Sequence, residues 1–375
     1  MEIYLDNSAT TKLDKEVLEE MLPYLTGEFA NPSSIYTIAR TTKQAIEKSR
    51  DLIADKLGAK SKEIFFTSGG SESDNWAIKG TVDANIGKHI ITTPIEHHAV
   101  LNTFEYLEKK GYDVSYLKVD SDGIVDLEYL ENILNENTAL VSVMYANNEI
   151  GTIEPIEKIG NILKERNILF HVDGVQALSG IDFKLKDLPV DLMSFSAHKI
   201  RGPKGIGALY IKEGTKINPI IHGGSQERGR RAGTENVASI VGFAKAVDIS
   251  RKNIKNDVKY IENLRNILMN SLLEIDGVYL NGSSKNRLSN NINISIEKVD
   301  VQALLMMLDM RGVYASSGSA CTAGSMAPSH VLKSIGRSDE LARNCLRLSL
   351  GIDNNIYEIN EASVIIREVI ETLRR

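Results

Sequence analysis

The chain has 375 residues, enough for two or three domains and for a core that needs no disulfide or metal staples. Apolar residues make up 42% and charged residues 25%, and 44 Lys and Arg face 50 Asp and Glu for a net charge of -6, so no basic excess favours nucleic acid. No stretch approaches the ~18 apolar residues of a membrane span, the acidic start Glu2 to Asp6 does not read as a signal peptide, and two cysteines fit a reducing cytoplasm rather than a disulfide framework.

Helical spacing covers 15–22 and 42–57, the second stopping at Gly58 as a C-terminal cap. The apolar run 63–67 reads as a strand that enters Ser68-Gly69-Gly70-Ser71, with a helix starting near Asn75. Next come a strand at 89–93, a helix at 100–109, strands at 114–119 and 139–144, a helix at 156–165, and strands at 168–172 and 192–195. Short continuous apolar strands between amphipathic helices predict an α/β fold with a buried, mostly parallel sheet. From about Val237 the texture changes to long helical patterns running to about Leu273. A strand at 292–296, a helix at 301–310, a strand at 346–348 and a helix at 358–374 follow, which predicts a smaller α+β C-terminal domain. The expected division is a large domain over 12–255, and a small domain formed by 1–11 with 256–375.

Polar residues gather where strands end, the place where open α/β sheets bind ligands. Five exits carry unusual side chains: Ser68-Gly69-Gly70-Ser71, Glu96-His97-His98, Asn147-Asn148-Glu149, Asp173-Gly174-Val175-Gln176 and Ser196-Ala197-His198-Lys199. Five together suggest one assembled site. The Gly pair offers bare amides at a helix start, which suits a phosphate or simply makes a tight turn. Asp173, ending a buried strand, needs a partner such as a protonated pyridine nitrogen, an arginine or a helix N-terminus. Lys199, on another strand end and partly desolvated, could condense with a carbonyl or sit in a salt bridge. An Asp 26 residues before the Lys of Ser-x-His-Lys pairs an electron-sink anchor with a carbonyl-binding lysine, the pattern of pyridoxal-phosphate enzymes. Cys321 lies in a small, polar, Gly-containing run, 315–325, which reads as a mobile loop with a reactive thiol. Cys345, within a strand-like pattern, reads as structural. The seven histidines show no ligand spacing, and the adjacent His97 and His98 point apart on regular structure, so no metal is expected.

These motifs together resemble the cysteine desulfurases of the NifS/IscS group, in the class V aminotransferase-like, fold-type I branch of pyridoxal-phosphate enzymes. The resemblance runs from Tyr4-Leu5-Asp6-Asn7-Ser8-Ala9-Thr10-Thr11 through the five exits to Arg230-Arg231-Ala232-Gly233-Thr234, Ser316-Ser317-Gly318-Ser319-Ala320-Cys321 and Arg347-Leu348-Ser349-Leu350-Gly351. It implies a seven-stranded sheet in the large domain and pyridoxal 5'-phosphate as cofactor. It implies that Lys199 holds the cofactor covalently and moves protons at the substrate, that Asp173 pairs with the ring nitrogen, and that His97 stacks on the ring and acts as an acid or base. Gln176 and Asn148 would lie near the phenolic oxygen. Gly70, Ser71, Ser196 and His198 would hold the phosphate, helped by Thr234 of a second subunit. Arg347, with Asn148, would bind the substrate carboxylate, and Cys321 would take sulfur from L-cysteine as a persulfide, releasing L-alanine. The expected protein is a cytoplasmic homodimer that passes sulfur to an acceptor protein, a tRNA thiolase or an iron–sulfur scaffold, without itself binding nucleic acid or membrane. The alternative on the same scaffold is a selenocysteine lyase or another pyridoxal-phosphate β-lyase.

Overall fold

Runs of four to seven residues dominated by Ile, Val, Phe and Leu are buried on both faces, so they form the interior strands of a sheet covered by helices. The computed structural model describes residues 2–318 and 328–375. In chain order its strands are β1 (Ile3–Tyr4), β2 (Ile64–Thr67), β3 (His89–Thr92), β4 (Asp113–Tyr116), β5 (Thr138–Met144), β6 (Leu169–Asp173), β7 (Leu192–Ser196), β8 (Gly207–Ile211), β9 (Val278–Leu280), β10 (Asn291–Ile296), β11 (Val313–Tyr314) and β12 (Cys345–Ser349). Seven of them make one sheet in the order β2-β8-β7-β6-β5-β3-β4. All its pairings are parallel except those of β8, which runs antiparallel to both neighbours. The mixed α/β architecture with a mostly parallel seven-stranded sheet agrees with the sequence.

Parallel pairing forces each return through a crossover, here mostly helical, so the carboxyl ends of β3, β5, β6 and β7 emerge on one edge. β2 leaves on the same edge, since it and β7 both oppose β8. The helix Ile156–Glu165 shows why these segments fold as they do. Ile156, Ile159, Gly160 and Leu163 recur at helical spacing, and all four are buried against the sheet layer. A second apolar cluster joins Ile3 and Leu5 to Leu264, Leu268 and Leu272, to strands β10 and β12, and to Ile359, Ile366 and Ile370 of the last helix. There β10 lies between β12 and β9, antiparallel to both. Among the described residues no helix is long and apolar enough to cross a membrane.

Three details depart from the sequence reading. β8, following Gly202-Pro203-Lys204-Gly205, was not foreseen. The helix after β2 starts at Gly70 rather than near Asn75, so the Gly pair sits in its first turn. The long helical stretch is two helices, Val237–Lys252 and Ile254–Leu273, separated at Asn253.

One buried carboxyl gives the fold a pH dependence. Glu154 is 2% exposed, Oε2 accepts the Val125 amide at 3.0 Å, and Oε1 has no hydrogen-bond partner. Burial, with Asp120 nearby, pushes its pKa up to about 8. The folded chain therefore keeps a proton that the unfolded carboxylate loses above about pH 4.5, and this contribution to stability fades as pH rises toward 8. In urea unfolding, wild type is expected to lose stability between pH 6.5 and 7.5, and Glu154→Gln is expected to reduce that loss by about 1 kcal/mol. An unchanged slope would remove Glu154 as its source.

Candidate active site

The five strand exits converge. Ser8, Ala9, Gly70, Ser71, Asp74, His97, Met144, Asn148, Asp173, Val175, Gln176, Ser196, His198, Lys199 and Arg347 line one cavity of about 310 Å³, within reach of a small-ligand site. Of the expected residues, Gly70, Ser71, His97, Asn148, Asp173, Gln176, Ser196, His198, Lys199 and Arg347 are all there. Cys321 lies outside the described residues. Thr234 lies outside this cavity, on an exposed stretch.

Asp173 ends β6, is 6% exposed, and accepts the Val175 amide at 2.9 Å through Oδ1. Burial raises its pKa to about 6, opposed by the Val175 N–H and by Lys199. Lys199 ends the short turn after β7, and its Nζ donates to the Ser8 carbonyl at 2.5 Å and the Ala9 carbonyl at 2.8 Å. Residues 8–11 thus strap across this strand exit. Thr11 donates to the His198 carbonyl, and Thr10 Oγ1 lies 3.2 Å from His198 Nδ1. Gln176 Nε2 donates to the same Ser8 carbonyl at 3.1 Å.

His97 caps the helix His98–Lys109, and its Nδ1 accepts the Ala99 amide at 3.1 Å. An Nδ1 that accepts carries no proton, so the neutral ring holds its proton on Nε2. Burial, then the charge of Lys199 and then His98 lower its pKa to about 4. Burial and the same lysine lower His198 to about 4 as well. At neutral pH His97 is therefore a neutral ring whose donor is Nε2. His98 meets His330 edge-on at 4.8 Å, and its ring centroid also lies 6.4 Å from that of His97 in a T-shaped contact, so the adjacent pair is not splayed apart.

Arg347 is 2% exposed on β12. Nη2 donates to Asp6 at 2.8 Å, Nη1 to the Asn148 carbonyl at 3.4 Å, and Nε is buried without a partner. These two bonds use two of the five N–H donors of the guanidinium. Asp6 was missed in the sequence, as was Asp74, a second carboxyl in the cavity wall that is 1% exposed. Burial, and then Asp173, raise the Asp74 pKa well above the ordinary carboxylate value. Both sit in motifs the sequence offered, yet nothing in the local pattern distinguishes them from a turn residue or a helix-start residue.

The segment leading to Thr234 is held by a buried ion pair. Arg50 Nη1 and Nη2 each reach Glu227 at 2.8 Å, and the Phe66 amide donates to the same carboxylate. That bidentate contact offsets a backbone in which Glu227 and Arg228 take φ of 45° and 60°.

The family described as Aminotransferase class-V matches residues 3–361. A cysteine desulfurase IscS of Methanosarcina thermophila is 50% identical over 374 residues, 99% of this chain and 93% of that protein. A solved NifS-like protein superposes with a TM-score of 0.92 at 40% identity, covering 100% of this chain and 99% of that one. A structure described as SspA in complex with cysteine gives 0.82 at 39% identity, covering 93% and 99%. The chain belongs to the class-V aminotransferase family. Within that family it falls in the cysteine desulfurase branch, whose members depend on pyridoxal phosphate.

With ¹⁵N-labelled histidine, His97 and His198 are expected to keep neutral-imidazole shifts from pH 8 down to about 5, His97 with its proton on Nε2. A midpoint near the ordinary value of 6.5 would show the site to be wet.

Proposed function

We propose that this protein is a homodimeric cysteine desulfurase that moves sulfur from L-cysteine to Cys321 and releases L-alanine. The observation that carries this reading is the convergence of Lys199, Asp173, His97 and Arg347 on one cavity.

The cavity fits pyridoxal phosphate by its donor set. Hydroxyls and a neutral imidazole (Ser71, Ser196 and His198) stand beside Gly70, where a β-carbon would lie 2.7 Å from Val175 Cγ2, so only glycine fits. These residues would hold the phosphate at the helix start. Asp173 would pair with the ring nitrogen, His97 would cover the ring face, Gln176 and Asn148 would lie at the phenolic oxygen, and Lys199 would hold the aldehyde end. Bound there, the cofactor supplies an electron sink that weakens the bonds around the cysteine α-carbon. Arg347 and Asn148 would hold the cysteine carboxylate, and Lys199 would move the proton at the α-carbon. The Cys321 thiolate would take the substrate sulfur, so that one cysteine and one thiol become one alanine and one persulfide. The persulfide would then pass to an acceptor protein, a tRNA thiolase or an iron–sulfur scaffold. Two lobes, 12–255 and 1–11 with 256–375, would carry the cofactor side and the Cys321 side. Thr234, on the strained segment fixed by Arg50 and Glu227, would complete the phosphate site of the second subunit.

The test is alanine and sulfide release from L-cysteine with added reductant, wild type beside Cys321→Ala. Activity in the first and none in the second is expected. Equal activity would make a β-lyase the better reading. Arg347→Lys, which loses the two-pronged fork, is expected to lower kcat/KM for cysteine by ten-fold or more, since a charge-assisted hydrogen bond contributes about 1.5–3 kcal/mol. A change of less than about two-fold would remove Arg347 from the carboxylate site.

A further inference from the structure

The chain on either side of the segment carrying Cys321 returns to one buried point. On the near side Ser316 pairs with Arg347 through two backbone hydrogen bonds, at 3.2 and 2.7 Å. Two residues on, the Gly318 amide donates to Cys345 Sγ at 3.2 Å. On the far side the Ser329 hydroxyl donates to Glu149 Oε2 at 2.6 Å and accepts the Leu332 amide at 3.2 Å. The far flank bonds the Glu149 carboxyl, and the near flank passes close beside it. A β-carbon on Gly318 would lie 2.7 Å from Glu149 Oε2, 3.0 Å from Cys345 Sγ and 3.5 Å from Ser329 Cβ.

Glu149 is itself rigidly set. Its amide donates to Asn147 Oδ1 at 2.8 Å, and its carbonyl accepts from Asn291 at 3.0 Å and Asn293 at 3.1 Å. It follows Asn148, a wall residue of the cavity whose carbonyl meets Arg347. A carboxyl this deeply buried is costly to keep, and burial pushes its pKa up to about 7 against the pull of Ser329 and Arg347.

We propose that Glu149 is a positioning residue for Cys321: with Cys345 it fastens both flanks of that segment at a fixed point beside Asn148 and Arg347. The inference rests on Cys321 being the sulfur acceptor. Cys321 is three residues from Gly318, and three residues of extended chain span at most about 10 Å, so the place where Gly318 is held limits where the thiol can arrive.

The test compares Glu149→Leu, Ser329→Ala, Glu149→Gln and Cys321→Ala in the cofactor-loaded protein. Persulfide formed on Cys321 in a single turnover is read by mass spectrometry, cofactor content by absorbance, and exposure of Cys345 by its rate of alkylation with iodoacetamide. Glu149→Leu and Ser329→Ala are expected to slow persulfide formation by about ten-fold or more, with cofactor content unchanged and Cys345 alkylated about ten-fold faster. Glu149→Gln keeps an acceptor for Ser329 and is expected to restore both rates to within about two-fold. Ser329→Ala removes one hydroxyl only, which keeps the test open should Glu149→Leu fold poorly. Wild-type rates in Ser329→Ala, a loss of rate matched by loss of cofactor, or Glu149→Gln as slow as the leucine variant would each overturn the inference. Full turnover in Cys321→Ala would instead overturn the reading on which it rests.

Discussion

Parallel pairing of β3, β5, β6 and β7 is the constraint on which the rest of the molecule depends. It makes every one of these strands run the same way, so their carboxyl ends cannot be distributed over the surface. His97, Asn148, Asp173 and Lys199 come from distant parts of the chain, yet each lies at or within five residues of the end of a strand whose direction is already fixed. The sheet interior supplies rigidity, and the loops beyond it supply chemistry. Register sharpens this. Met144 of β5 pairs with Asp173 of β6, and Asp173 pairs with Ser194 of β7, which brings adjacent exits to one level.

The price of that placement is desolvation. Asp173, Asp74 and Glu96 are all buried near the carboxyl edge, and burial is the largest influence on each. Glu96 is partly satisfied by the Met144 amide and the Thr93 hydroxyl, both at 2.8 Å, whereas its other oxygen has no partner. His171, beneath the site, is held between Ser142 at 2.8 Å and Ser194 at 3.0 Å, and burial lowers its pKa to about 3. Burial favours the protonated forms of Asp74 and Glu96 and the neutral form of His171, whereas Asp173, raised only to about 6, is mostly ionised at neutral pH. A ligand bringing a cationic ring nitrogen and an anionic phosphate would then meet hydrogen-bond geometry and a few placed charges, not a strong uniform field.

Much of this was legible beforehand because apolar periodicity is a local property. The helix Ile156–Glu165 matches its sequence pattern end to end, and Asp173 and Lys199 announced themselves as polar residues closing apolar runs. β8 was missed although Ile206 to Ile211 is an apolar run after a Gly-Pro-Lys-Gly turn, the same signal as the other strands, and its pairing between β2 and β7 completes the sheet. The contact of Asp6 with Arg347 joins the two ends of the chain, a separation no local pattern can report. Asp74 reads as an ordinary polar residue in the first turns of a helix, and burial alone gives it a place in the site. The family resemblance supplied roles where pattern supplied only positions, and it covered the strap at residues 8–11 without saying that its carbonyls would meet Lys199.

Cys345 has a consequence for counting sulfur. It is 2% exposed in β12, takes the Gly318 amide at 3.2 Å, and burial pushes its thiol up to about 12. At neutral pH such a group stays protonated and out of reach of reagents, although the chain has only two cysteines. Of the chain's two cysteines, Cys345 therefore adds nothing to a thiol count made on the folded protein. While β12 stays folded, Cys345 could not serve as a second residue for storing transferable sulfur.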